Sequence, residues 1–132
     1  MVKQISIKTG KLVELLDISH KITEIVRESG IRNGLCILFV THTTAGITIN
    51  ENADPDVKRD MCMALERIVP LHDGYHHMEG NSAAHIKSSM MGFSETIIIS
   101  EGRLLLGTCQ GIYFFEFDGP INRNLTIKII ED

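Results

Sequence analysis

Apolar and polar residues alternate from the start of the chain. Ile5 and Ile7 stand between Gln4, Ser6 and Lys8, the period of two that marks a strand with one buried face. Thr9-Gly10-Lys11 reads as a turn into a second strand, Leu12 to Leu16. The period then changes. Ile18, Ile22, Ile25 and Val26 recur at helical spacing, with Ser19 placed to cap the helix and Gly30 to end it. Leu35 to Val40 are apolar at every position, which predicts a strand buried on both faces. A loop over 41–46 and a short strand from Ile47 to Asn50 follow. Asp54-Pro55 is a helix start, cap then first helical residue. Val57, Met61, Ala64, Leu65 and Ile68 form its apolar face, and Pro70 ends it.

Ser82 is placed to cap a short helix running through Met91, with Ile86 and Met90 toward the core and Gly92 after it. Three closing strands are predicted: Glu95 to Ser100, Arg103 to about Phe117, and Leu125 to Ile130. Glu101-Gly102 is the turn between the first two. The order is β-β-α-β-β-α-(α)-β-β-β. Hairpins dominate, so the expected class is α+β, a mostly antiparallel β-sandwich of about seven strands with two main helices.

Composition adds limits. A chain of 132 residues with 43% apolar content suits one domain over 1–132. A net charge of −4 argues against non-specific nucleic-acid binding as the main task. No apolar run approaches the ~20 residues of a membrane helix, and the N-terminal stretch lacks a signal-peptide block. A cytoplasmic protein is therefore expected, with no membrane partner. Cys36, Cys62 and Cys109 are odd in number and far apart. They read as reduced packing residues rather than a disulfide or zinc framework.

Chemistry-bearing residues collect in three stretches. GYHHMEGNSAAH, Gly74 to His85, holds three of the six histidines. His77 and His85 flank Glu79, and with His42 they would supply the three imidazoles of a zinc-like site with one open position. The alternative is a polar surface loop. His20, His72 and His76 read as structural or solvated. In THTTAGITINENADPD, His42 follows the most apolar strand, where a rigid scaffold holds site residues well. Turn hydrogen bonds by His42, Thr43 and Thr44 are the other reading, and capping alone accounts for Asp54. Asn50, Glu51 and Asn52 follow the next strand.

In LLLGTCQGIYFFEFDGP, alternation puts Tyr113, Phe115 and Phe117 on one strand face and Gln110, Ile112, Phe114 and Glu116 on the other. A buried Glu116 would need a cation, a metal's surroundings or a subunit contact. The alternative is an edge strand with Glu116 in water. Gly107 and Gly111 suggest a bulge or close backbone approach. Arg123 and Lys87 are the natural partners for an anionic ligand group.

HTTAGITINENADPDV, YHHMEGNSAAHIKSS and GRLLLGTCQGIYFFEFDGP together resemble the YjbQ family of small bacterial and archaeal proteins, over about residues 3–130. The resemblance implies a β-β-α-β-β-α-β-β-β sandwich assembled as a homotrimer. It also implies a secondary thiamine-phosphate synthase activity, joining a pyrimidine pyrophosphate to a thiazole phosphate with loss of pyrophosphate. The family's recurring polar positions fall on His42, Thr43, Thr44, Asn50, Glu51, His77, Glu79, Asn81, His85, Lys87, Gln110, Glu116 and Asp118. Cys109 and His76 depart from the pattern, where Trp and Arg respectively are common.

Three functions compete. A transferase would neutralise the leaving pyrophosphate with Lys87, Arg123 or a magnesium ion on Glu51 or Glu79. Thr43, Asn50, Asn81, Lys87, Gln110 and Arg123 would contact the small phosphorylated metabolite, and Glu79, Glu116 and Glu51 would be the catalytic carboxylates. A metal-dependent hydrolase would use zinc-like His42, His77 and His85, with Glu79 or Glu116 taking a proton from water. A non-enzymatic module would hold a metal or phosphometabolite without turnover.

Overall fold

The computed structural model describes residues 1–132. The elements in order are β1 (Val2–Lys8), β2 (Glu14–Asp17), α1 (Ser19–Ser29), β3 (Gly34–Val40), β4 (Ala45–Glu51), α2 (Pro55–Ile68), α3 (Ser82–Met91), β5 (Ser94–Ser100), β6 (Arg103–Leu104), β7 (Gln110–Glu116) and β8 (Asn122–Glu131). They form a five-stranded sheet, β1-β8-β3-β5-β6, and a three-stranded sheet, β2-β7-β4. Every strand pair is antiparallel. The α+β class expected from the hairpin pattern is the class observed.

The layers follow from which faces are apolar. The two sheets face each other across the main core, where Leu38, Ile127 and Ile97 of the large sheet meet Ile47, Ile112 and Phe114 of the small one. Helix α1 joins this core through Ile22, Ile25 and Val26. The other face of the small sheet carries Tyr113, Phe115 and Phe117, packed with Leu15, Leu65 of α2 and Ala84 of α3. β7 is thus buried on both faces, and the two-face reading of its aromatic alternation holds. Full burial of one such aromatic contributes about 1.5–3 kcal/mol.

Several local expectations fail for identifiable reasons. The strand expected over 103–117 is two strands in different sheets. The chain turns at 107–110, where Gln110 Oε1 accepts from Gly107 N–H at 2.7 Å, and it re-emerges as β7. The apolar run Leu104-Leu105-Leu106 hid the break. β3 is not buried on both faces: Cys36, Leu38 and Val40 are buried, but Leu35 and Phe39 point outward, because no helix of this chain covers the outer side of the large sheet. β4 begins at Ala45, so the loop after β3 shrinks to 41–44.

In α3 the inner residues are Ala83, Ala84, Lys87 and Ser88, while Ile86 and Met90 are exposed. Small inner residues let the helix lie close to β4. A Cβ added to Gly46 would meet Gly92 O at 2.8 Å. In α2, Leu65 is buried but Ala64 and Ile68 are exposed.

The caps also divide. Asp54 caps α2 as expected, accepting from Asp56 N–H at 2.9 Å, and Gly30 ends α1 with φ of 71°. Ser19 does not cap α1. Asp17 accepts from Ser19 N–H at 2.9 Å, and Ser19 Oγ instead accepts from Ile112 N–H at 2.8 Å, tying α1 to β7. Asn81, not Ser82, occupies the cap position of α3, without a side-chain cap bond. Of the three cysteines only Cys36 is buried, its thiol pushed up to about 11 by burial. Cys62 is half-buried and Cys109 exposed.

Candidate functional site

The ends of β3, β4, β7 and β8 meet at one end of the sandwich, and the polar residues there are knit together. Glu116, the last residue of β7, is fully buried. Its Oε1 accepts from Thr9 Oγ1 at 2.8 Å and Arg123 Nε at 2.9 Å. Its Oε2 accepts from the N–H groups of Phe117 and Asp118, each at 3.0 Å, and from the second arm of the Arg123 guanidinium. Arg123 also donates to Thr44 Oγ1 at 2.8 Å. Burial alone would raise the Glu116 pKa. The hydrogen bonds from Arg123, Asp118 N–H and Thr9 outweigh it and hold the carboxyl below its ordinary value.

This answers the question posed by a glutamate on an apolar face: the cation is Arg123. It also removes two expected roles. Glu116 has no free lone pair for proton transfer, and Arg123, buried and held by Glu116 and Thr44, is not free for an anionic ligand. Lys87 is likewise spent. It lies buried on the inner face of α3 and donates to Glu66 Oε2 at 2.9 Å, joining α3 to α2.

His42 sits half-buried just past β3 and beside this network. Its Nε2 accepts from the backbone N–H of Asn124 at 2.9 Å. The proton of the neutral ring is therefore on Nδ1. Burial first, then the Arg123 charge, lowers its pKa.

The second half of the site is on α3 and the loop before it. His77 and His85 meet edge to face, ring centroids 5.5 Å apart. They line a cleft of about 460 Å³ with Tyr75, His76, Ser82 and Ile86. Glu79 Oε1 lies 4.0 Å from His77 Nε2. Asn81 bridges the two halves: its Nδ2 donates to Asp118 Oδ2 at 2.9 Å, two residues past Glu116. The Asn81 Oδ1 is buried with no hydrogen-bond partner.

His42 does not join His77 and His85 within one chain. It lines a separate cleft with Phe39, Thr41, Thr43 and Phe93, and no group of three histidine, cysteine or carboxylate side chains converges to hold a metal. Asn50 lies exposed at the end of β4, its Nδ2 3.4 Å from Met61 Sδ. Tyr113 Oη donates to the backbone oxygen of Glu51 at 3.0 Å. Gln110 closes the turn at Gly107, and Thr43 is exposed. Gly111 has the close approach expected of a strand glycine: a Cβ there would lie 2.8 Å from that of Asn52.

Thr9, Glu66 and Tyr75 escaped sequence reasoning. Thr9 meets Glu116 across 107 residues, and no local pattern signals that.

Comparison with known proteins agrees with the fold. The family model described as "UPF0047 protein YjbQ-like" matches residues 3–132. The chain is similar to the UPF0047 protein MJ1081 of Methanocaldococcus jannaschii, 52% identical over 132 residues, covering 100% of this chain and 96% of that one. UPF0047 protein YugU of Bacillus subtilis is 51% identical, with 98% and 99% covered. A crystal structure of a YjbQ/UPF0047 family protein from Clostridium acetobutylicum superposes with a TM-score of 0.95 at 52% identity, covering 97% of this chain and 99% of that one. A YbjQ-like protein of Sulfolobus solfataricus gives 0.95 at 31%, covering 100% and 97%.

Proposed function

The chain belongs to the YjbQ-like UPF0047 family, and on that premise we propose that it is a metal-dependent enzyme acting on a small phosphorylated metabolite in the cytoplasm. His77 and His85 are the metal ligands, and the site is completed between copies in a homotrimer. The observation that carries this reading is the His77–His85 pair. The rings are 5.5 Å apart in one open cleft, and neither makes a hydrogen bond within the chain. Two neutral imidazoles suit a zinc-like ion better than magnesium. A divalent ion held there supplies Lewis acidity at the reacting group.

The chain's own residues divide the remaining work. Glu79, exposed beside His77, accepts a proton from the attacking water or nucleophile. His42 presents Nδ1–H as a hydrogen-bond donor to the substrate, and it does so from a neighbouring copy. The support for assembly is the outer face of the large sheet, where Leu35 is 37% exposed, Phe39 48%, Ile98 53% and Ile130 42%. The registers Leu35↔Ile98 and Leu35↔Ile130 make three of them one contiguous patch. His42 lies two residues past the strand that carries Phe39, at the edge of that face.

Transfer of the thiamine-phosphate type, implied by the family resemblance, requires the leaving pyrophosphate to be neutralised. Lys87 and Arg123 already face Glu66 and Glu116, so that charge would fall to the metal. Hydrolysis asks less of the chain and is the reading we favour.

Elemental analysis of untagged protein tests the proposal, with wild type, His77→Ala and His85→Ala compared and folding checked by circular dichroism. Near-stoichiometric metal, lost in both folded variants, is expected. No metal after supplementation with zinc, manganese or nickel would overturn it. Metal-loaded protein then separates the reactions: carbon–nitrogen bond formation from the pyrimidine and thiazole substrates, phosphate release alone, or saturable binding only.

A further inference from the structure

A second cleft, of about 480 Å³, opens between α1 and the β5–β6 hairpin and shares no residue with the histidine cleft. Its floor is apolar: Val26, Leu104 and Leu106. Its rim carries three guanidiniums, those of Arg27, Arg32 and Arg103, with Thr23 and Glu101 beside them. Arg27 is paired with Glu24 on its own helix. Arg32 and Arg103 have no acidic partner. In a chain of net charge −4, two arginines without an acidic partner thus stand beside an apolar floor.

The backbone holds these arginines in place. Gly102 N–H donates to Arg32 O at 2.8 Å, fastening the hairpin turn to the loop after α1. Arg32 packs over Gly102 so closely that a Cβ there would lie 3.1 Å from its Nη1. Glu101 adopts a φ of 54° to make this turn, a backbone state uncommon for a residue with a side chain. A guanidinium offers a planar fork matched to the oxygens of a phosphate or carboxylate. The volume and the apolar floor are those of a small-molecule pocket.

We propose that this cleft is a second ligand site, binding a small amphipathic anion through Arg32 and Arg103, with the ligand's apolar body on Val26, Leu104 and Leu106. The chemical class is an aryl or alkyl phosphate or carboxylate with one anionic head. Arg27 adds charge at the mouth, partly offset by Glu24. Inorganic phosphate, which has no apolar body, binds more weakly than an aryl phosphate.

Isothermal titration calorimetry with phenyl phosphate and inorganic phosphate at low ionic strength tests this. Wild type, Arg103→Gln, Arg32→Gln and His77→Ala are compared. Both arginines are exposed, so the variants are expected to fold, which circular dichroism checks. The expected result is one phenyl phosphate per chain at this cleft, counted in His77→Ala, where the histidine cleft is disabled. Affinity falls at least about tenfold in each arginine variant, the scale of one charge-assisted hydrogen bond, and is unchanged in His77→Ala. Inorganic phosphate binds at least about tenfold more weakly than phenyl phosphate, because a buried ring removes apolar surface from water. No saturable binding to wild type overturns the proposal. So does binding that survives both arginine changes, or binding that is lost in His77→Ala.

Discussion

The backbone N–H of Asn124 donates to Nε2 of His42 across 82 residues of sequence, at 2.9 Å. A metal ligand at Nε2 would have to displace that bond, and a ligand at Nδ1 would have to move the ring proton onto Nε2, against the donor already there. Metal content therefore separates His42 from the other two histidines. His42→Ala is expected to retain metal and lose turnover, whereas His77→Ala and His85→Ala lose both. Loss of metal in His42→Ala would make His42 a ligand after all.

The same residue sets a pH dependence. Burial and the Arg123 charge place its pKa below the ordinary value of 6.5. The unfolded chain then binds a proton at a pH where the folded chain does not. Stability rises with pH through the window below 6.5 and is lowest beneath the folded pKa. Urea denaturation at pH 7.5 and 5.5 should show wild type weaker at the lower pH. His42→Asn should reduce that difference.

Glu116 and Arg123 form a buried pair, and removing one partner strands the other. Arg123→Met or Glu116→Gln is expected to cost about 3–5 kcal/mol, the usual scale for such a break. The double variant Glu116→Gln/Arg123→Met should cost less than the sum of the two single changes, which a double-mutant cycle reads directly. The lowered Glu116 pKa adds a second signature. Its contribution is full above 4.5, the unfolded value, and is lost as pH falls through the folded pKa.

Gly46→Ala tests how tightly α3 is seated. The new Cβ would lie 2.8 Å from Gly92 O and 3.1 Å from Met91 Cβ, so the C-terminal end of α3 must move. A loss of about 1–3 kcal/mol is expected, the scale of overpacking, with a lower Tm. An unchanged Tm would mean that α3 slides on β4 at no cost, and the placement of His85 would then be loose.

Assembly is tested at the outer sheet face. Phe39→Glu or Ile98→Glu, both on exposed positions, should leave the fold intact and convert the assembly to monomer in sedimentation velocity. A wild type that sediments as a monomer at tens of micromolar would remove the shared-site reading.

What the sequence made legible was what lies within one element. The Asp54 cap, the Gly30 stop and the two faces of β7 are all encoded within a few residues. The partner of Glu116 was not, because Arg123 reaches it only after the chain reverses between β7 and β8, and Thr9 comes from the far end of the chain. For α3 the pattern misled. Ile86 and Met90 are its large apolar residues, yet the inner face went to alanine and serine, which the close backbone approach at Gly46 favours, and to Lys87, which reaches out to Glu66. The histidines stand out in the sequence as a cluster of one residue type. Their division between two clefts depends on where β3 and α3 end, which periodicity does not specify.

β8 lies between β1 and β3, which gives the large sheet an order of construction. β1 has no other strand to pair with, and β3 has only β5 on its remaining side. Until residues 122–131 have been synthesised, the first strand waits unpaired and the inner faces of β1 and β3 stay open to water. The Glu116–Arg123 and His42–Asn124 links cannot form earlier, since both need the start of β8. The last strand is therefore the closing stitch of the sheet and of the polar network together. A ribosome stalled short of it would display an open β-edge, the kind of surface on which nascent chains misassemble.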